Sequence, residues 1–260
     1  MVVNGIYLCT FHIQLYTVFM IVLFTDYGLQ GPYIGQVEAV LCRETPKATV
    51  INLFSDLPRQ NPKAATYLLA AYAPEFPAGT IFFCVVDPGV GSFEDNPIVM
   101  RIDNRWFIGP DNGVFDILVR RSEKTECWKI HWRPEKLSSS FHGRDLYAPV
   151  CAMIANGIDI PGEKLQWQDK HQWPDELSEV IYIDTFGNCM AGINASGINK
   201  NIKVHVSGKE LDYAETFSAV ADNEPFWYEN SNGLVEIAVN KNSASQLLNL
   251  AVGSKIDIKS

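Results

Sequence analysis

From Ile21 onward, apolar and polar positions alternate between two textures. The runs "IVLF", "ATVINLF" and "TIFFCVV" are rich in β-branched and aromatic residues, too short for helices and bounded by turn residues, so they predict buried strands. Between them, "GPYIGQVEAVLCRET" puts Val37, Val40 and Leu41 on one helical face. "NPKAATYLLAAYAPEF" reads as a helix that opens near Pro62 and closes at Pro74. "PIVMRID" and "RWFIGP" flank Asp103 and Asn104 as a hairpin. Helical stretches "GVFDILVRR" and "RDLYAPVCAMIANG" follow, the second stopped by Gly157. This order predicts an α/β layered domain with a largely parallel sheet over residues 20–170.

Past "QWQDKHQWPDELSE" the pattern changes. "EVIYIDTFGN", "NIKVHVSG", "FWYENSNGLVEIAVN" and "GSKIDIKS" are short alternating runs separated by turn residues, and only "SASQLLNLA" reads as helical. A small all-β domain over residues 175–260 is predicted, with Trp173-Pro174 in the linker. Residues 1–19 are apolar but lack an early Lys or Arg and are interrupted by Asn4, Gly5, His12 and Gln14, a poor signal peptide and a poor membrane span. They read as an extension outside the fold, with Met20 as a second candidate start, or else as a loosely attached arm.

Charge narrows the partners. Thirty acids against 21 bases leave a net charge of -9, with no basic stripe to neutralise a phosphate backbone, so nucleic acid is not an expected partner. The six cysteines are widely spaced with no CxxC pair, which disfavours a zinc cage or disulfide framework. They predict small buried hydrophobes in a reducing cytoplasm.

Four segments place an acid or amide among glycines just after an apolar run: "FTDYG" (Asp26), "VVDPGVG" (Asp87), "GPDNG" (Asp111, Asn112) and "FHGRD" (His142, Arg144, Asp145). In open α/β sheets ligands bind beyond the carboxyl ends of the strands, where these loops are expected to converge. Each is also an ordinary turn sequence when taken alone. Residue type further allows a metal-dependent phosphoesterase using Asp26, Asp87, Asp111, His142 and Asp145, although no ligand spacing singles it out.

Their succession, continued by "IDTFGN" and "NSNGLVEIAVN", resembles the S-adenosylmethionine hydroxide adenosyltransferase family, relatives of fluorinase and chlorinase, from about Met20 to the C-terminus. The resemblance implies an N-terminal α/β domain, a barrel-like β domain, and a homotrimer whose sites lie between one subunit's large domain and a neighbour's small one. The implied reaction is displacement at C5′ of S-adenosylmethionine by water or hydroxide, with no cofactor. It implies Asp87 and His142 as the water-activating pair and Asp26 as the ribose-binding acid. It also implies Asn188 as the adenine-reading amide, Phe217 as a stacking ring, and Asp184 and Ser231 as contacts to the amino-acid end. Asn112, Phe186 and Glu236 fall within matching motifs as substrate-binding candidates, Glu236 without an assigned role. Without the resemblance, Asp184, Phe186 and Asn188 read as a strand-end turn and Phe217 and Trp227 as core aromatics.

One departure bears on turnover: the family has an arginine seven residues after the "DPGVG" acid, and this chain has Glu94. A cation there lowers the pKa of a bound water, whereas a carboxylate raises it. Arg101, Arg105 and Arg144 are the candidates to supply the charge from elsewhere. The alternative function is therefore binding of S-adenosylmethionine or adenosine without cleavage. "INLFSDLPRQNP" (Asn52 to Ser55, Gln60) and "GNCMAGI" also differ from the family pattern, which alters the expected pocket wall.

Overall fold

The computed structural model describes residues 19–92 and 96–259. The expected N-terminal extension, apart from Phe19, lies outside these residues, and so does Glu94. β1 (Met20–Thr25) is buried from Ile21 onward. α1 (Tyr33–Glu44) buries Val37, Val40 and Leu41, the face that its period predicts. After β2 (Thr49–Phe54), α2 (Pro62–Tyr72) starts where Asn61 caps the Ala64 N–H at 2.9 Å and Pro62 supplies a fixed φ in the first turn. A 3₁₀ turn with Pro74 ends it.

β3 (Ile81–Val85) is wholly buried. β4 (Pro97–Ile102) and β5 (Arg105–Pro110) form the expected hairpin, closed by Asp103 and Asn104 at φ 45° and 64°, the left-handed pair that a tight two-residue turn requires. α3 (Asp116–Arg120), β6 (Thr125–Ile130), α4 (Ala148–Ala155) and β7 (Gly162–Leu165) complete the first layer system.

The sheet order is β2-β1-β3-β5-β4-β6-β7. β2, β1, β3 and β5 run parallel, and the hairpin reverses the chain so that β4, β6 and β7 extend the sheet by antiparallel pairs. α1 and α4 share a core with one face of this sheet, and α2 and α3 with the other. The chain thus leaves β1 for β2 on one side and returns past β1 to β3 on the other, which puts a topological switch point between β1 and β3.

The second region comprises β8 (Leu177–Ile183), β9 (Cys189–Asn194), β10 (Lys203–Val206), β11 (Lys209–Leu211), β12 (Pro225–Glu229), β13 (Leu234–Val239), α5 (Ala244–Leu247) and β14 (Asp257–Lys259). Two antiparallel sheets, β12-β13-β9-β8 and β11-β10-β14, contribute to one apolar core that includes Trp227, whose indole N–H reaches the Ile202 carbonyl at 3.1 Å. Leu177, Ile181, Tyr182, Met190 and Leu234 join the α2 face of the large sheet's core. At about 1.5–3 kcal/mol per large buried side chain, this contact fixes the two regions together.

Among the described residues no helix is long and apolar enough to cross a membrane. Cys42, Cys84, Cys127, Cys151 and Cys189 are free thiols, and all but Cys42 are buried.

Candidate functional site

Asp26 follows β1 directly, and Asp87 stands two residues beyond β3, so the two carboxylates straddle the switch point. Asp87 turns back on its own loop: its Oδ1 accepts the Gly89 N–H at 3.0 Å. Gly91 has a φ of 78°, and a Cβ there would lie 2.1 Å from the Ser139 carbonyl oxygen. A residue without a side chain is therefore what lets the "DPGVG" loop lie against the serine loop that leads to His142.

His142, only 7% exposed, precedes a π-helical turn over Gly143–Tyr147. The Ala148 N–H donates to the Gly143 carbonyl, five residues back, and Pro149 next in line has no N–H to restore the regular ladder. The widened turn sets the imidazole and Gly143 at the wall of a 590 Å³ cleft. Asp26, Asp87 and His142 line it together, with Tyr27, Tyr33, Arg59, Gln60 and Ser140.

Burial raises the pKa of Asp26, opposed by the Gln60 N–H, which donates to its Oδ2 at 2.8 Å, and by the Arg59 charge. Gln60 holds a φ of 55°, so the β2–α2 loop bends over Asp26 and carries Arg59 to the rim. Among the described residues lining the cleft, Arg59 is the one Arg or Lys. The three arginines expected to supply a charge are used elsewhere. Arg101 stacks on Trp106 and approaches Glu126, while Arg105 donates to the Pro74 and Phe76 carbonyls. Arg144 forks onto Asp145 at 2.6 and 3.0 Å.

The fourth expected loop diverges. Asp111 is paired with Lys170 and lines no part of the cleft. Asn112 stays behind the wall, where its Nδ2 donates to the Val86 carbonyl at 2.8 Å and braces the strand end just before Asp87. Asp145 belongs to the Arg144 pair, which holds its carboxyl below the usual range. Among the described residues no three His, Cys, Asp or Glu side chains form a metal-sized cluster.

The small region carries a second pocket, of 690 Å³, lined by Asp184, Phe186, Asn188, Phe217, Tyr228 and Glu236 together with Lys241, Asn242 and Ser243. Asp184 organises its rim: Oδ1 accepts the N–H groups of Phe186 and Asn188, each at 2.9 Å, and Oδ2 accepts the Asn188 amide at 3.0 Å. The turn that the sequence predicts is formed, and it brings Asn188 to the lining of the pocket. Phe186 is 77% exposed, and Phe217 packs its edge on Phe226 and Tyr228.

Glu236, which had no assigned role, is 2% exposed and accepts from Tyr228 Oη at 2.5 Å and from Asn230 at 2.9 Å. Its burial raises its pKa, and the two donors counter this. Ser231 sits on an exposed turn, bonded to Asn232, and lines neither pocket.

Residues 21–163 match the SAM hydroxide adenosyltransferase N-terminal domain, and residues 178–257 match its C-terminal domain. An (R)-S-adenosyl-L-methionine hydrolase of Thermus thermophilus is 30% identical over 252 residues, 89% of this chain and 96% of that protein. One from Methanocaldococcus jannaschii is also 30% identical, over 92% and 95% of the two chains. The crystal structure of an uncharacterized conserved protein from Thermotoga maritima superposes with a TM-score of 0.84 at 31% identity, covering 93% of this chain and all of that one. With both domains matched in order and nearly the whole length covered, the chain belongs to the SAM hydroxide adenosyltransferase family.

Proposed function

We propose that this protein hydrolyses S-adenosylmethionine to adenosine and methionine by attack of water or hydroxide at C5′. The observation that carries the reading is the meeting of Asp26, Asp87 and His142 in one cleft at the β1/β3 switch point of a chain that belongs to this family. That its relatives are (R)-S-adenosyl-L-methionine hydrolases by name supports it.

The chemistry asks for positioning more than covalent help. The new C5′–O bond forms as the C5′–S bond breaks, the electron pair goes to sulfur, and methionine departs as a neutral thioether. One proton from the water reaches a protein base or the solvent. The sulfonium is its own activated leaving group, so the reaction as written needs no cofactor or metal. Asp26 grips the ribose hydroxyls as a two-oxygen acceptor, and Asp87 and His142 hold the water in line with C5′. Arg59 is the cation that offsets the two carboxylates of the cleft, in place of the arginine that Glu94 replaces.

In this reading the catalytic region is residues 20–170 and the small β region 175–260. The second pocket supplies the adenine and amino-acid contacts through Asn188, Phe217 and Asp184. Two pockets that share no lining residue, with Phe186 exposed at the rim of one, support a homotrimer in which a neighbour's pocket closes each cleft. Free thiols at all five cysteines among the described residues favour a cytoplasmic setting.

The test is incubation of purified protein with S-adenosylmethionine, without added metal, following adenosine and methionine by chromatography. Both products should form in equal amounts and faster than in a protein-free control. Glu94 favours one other reading, binding without cleavage, and a calorimetric binding signal with no product would select it.

A further inference from the structure

Tyr27 stands beside the acid of "FTDYG", and its ring is caged. Phe141 meets it edge to face at 5.7 Å between centroids, Phe83 at 6.4 Å, and Tyr33 lies tilted at 6.1 Å. Three aromatic neighbours fix the direction of its C–O bond. That direction is toward Gly143, the residue after His142: a Cβ built on Gly143 would lie 1.8 Å from the Tyr27 hydroxyl oxygen. The oxygen therefore occupies the space that any side chain at 143 would fill, and the glycine is there to admit it.

Tyr27, Asp87, His142 and Gly143 all line the same cleft. Burial raises the phenol's pKa well above its ordinary value, and the charges of Asp26 and Asp87 raise it further. The hydroxyl thus keeps its proton throughout the working range, and it can donate to an oxygen in the cleft while Asp87 can only accept.

Resting on the hydrolytic reading above, we propose that Tyr27 is a third catalytic residue, whose hydroxyl donates a hydrogen bond to the attacking water or hydroxide held by Asp87 and His142. A donor on that oxygen favours its hydroxide form, the effect that a nearby cation would otherwise have. It also fixes which lone pair faces C5′.

The test compares Tyr27→Phe, Gly143→Ala and the double variant for kcat, KM and the pH dependence of kcat, with folding checked by thermal unfolding. Tyr27→Phe should lower kcat at least about tenfold with little change in KM, and should move the rising limb of the pH profile to higher pH. Gly143→Ala should also lose activity, because its methyl group evicts the hydroxyl. The double variant should lose less than the product of the two single losses, since removing the oxygen relieves the 1.8 Å collision and leaves the 2.9 Å approach to the ring carbon. Wild-type kcat in Tyr27→Phe, a change confined to KM, or losses that multiply in the double variant would each overturn the proposal. If the wild-type protein forms no adenosine, the hydrolytic reading itself fails and takes this proposal with it. Wild-type turnover with an indifferent Tyr27→Phe sinks the proposal alone.

Discussion

Asp87 and His142 reach the cleft from different elements, one from the mouth of β3 and one from the entrance of a π-helical turn. Neither position is set by the residue itself. Gly89 orients the Asp87 carboxylate, Asn112 braces the carbonyl before it, and Gly91 lets the two loops touch. On the proposed roles, in which both act on the water and not on the adenosine, Asp87→Ala and His142→Ala are each expected to lower kcat by more than about tenfold with a much smaller change in KM. Steady-state rates of adenosine release check this, and unchanged kcat in both variants would remove the pair from the mechanism. Asp26, Asp87 and His142 were legible as residues that meet in one cleft because each follows or precedes an abrupt change from apolar to glycine-rich chain. Tyr27 and Arg59 were not. Tyr27 reads as part of a turn, and Arg59 in "LPRQNP" as a solvated loop residue, until the bend at Gln60 brings it to the cleft. Glu236 was legible only as a motif position, since its partners Tyr228 and Asn230 meet it through hairpin pairing between β12 and β13.

At the scale of elements, the connection between β7 and β8 is a strap as much as a linker. Arg120 of α3 holds Asp169 at 2.6 Å and Asp175 at 3.2 Å, Arg121 holds Glu176 at 3.2 Å, and His171 bonds the nearly buried Asp116 at 3.0 Å. Burial pushes the Asp116 carboxyl up to about 6 from 3.8, against the His171 bond that lowers it. A carboxyl that binds its proton more tightly when folded stabilises the fold fully below the unfolded value and ceases to do so as pH rises through the folded one. Wild-type stability should therefore fall relative to Asp116→Asn, by on the order of 1–2 kcal/mol, as pH goes from about 4 to about 7. Urea unfolding across that range measures it, and parallel curves for the two proteins would contradict it. The strap escaped sequence reading because its residues are polar and aperiodic. β6 and β7 escaped for a related reason: "TECWKI" is only half-buried and "GEKL" lies at the exposed sheet edge, so neither carries the apolar run that revealed β1, β2 and β3.

For the whole molecule, the division into an α/β layer and a smaller antiparallel β region followed from the change of period after residue 170, where helical spacing gives way to short alternation. The proposed contribution of a neighbouring chain to each site does not follow from any one chain. If a neighbour's pocket completes each cleft, Asp87→Ala and Asn188→Ala chains, inactive when expressed singly, should regain activity when co-expressed, because about a quarter of all sites formed by random assembly of equal amounts would combine an intact cleft with an intact pocket. No recovery in a mixed oligomer would mean that each chain works alone. The hydrolytic claim itself is tested most directly by turnover of S-adenosylmethionine in isotopically labelled water, with mass analysis of the adenosine. Attack at C5′ predicts one labelled oxygen in every adenosine formed, at the 5′ hydroxyl, and label-free adenosine or an absence of adenosine would contradict it.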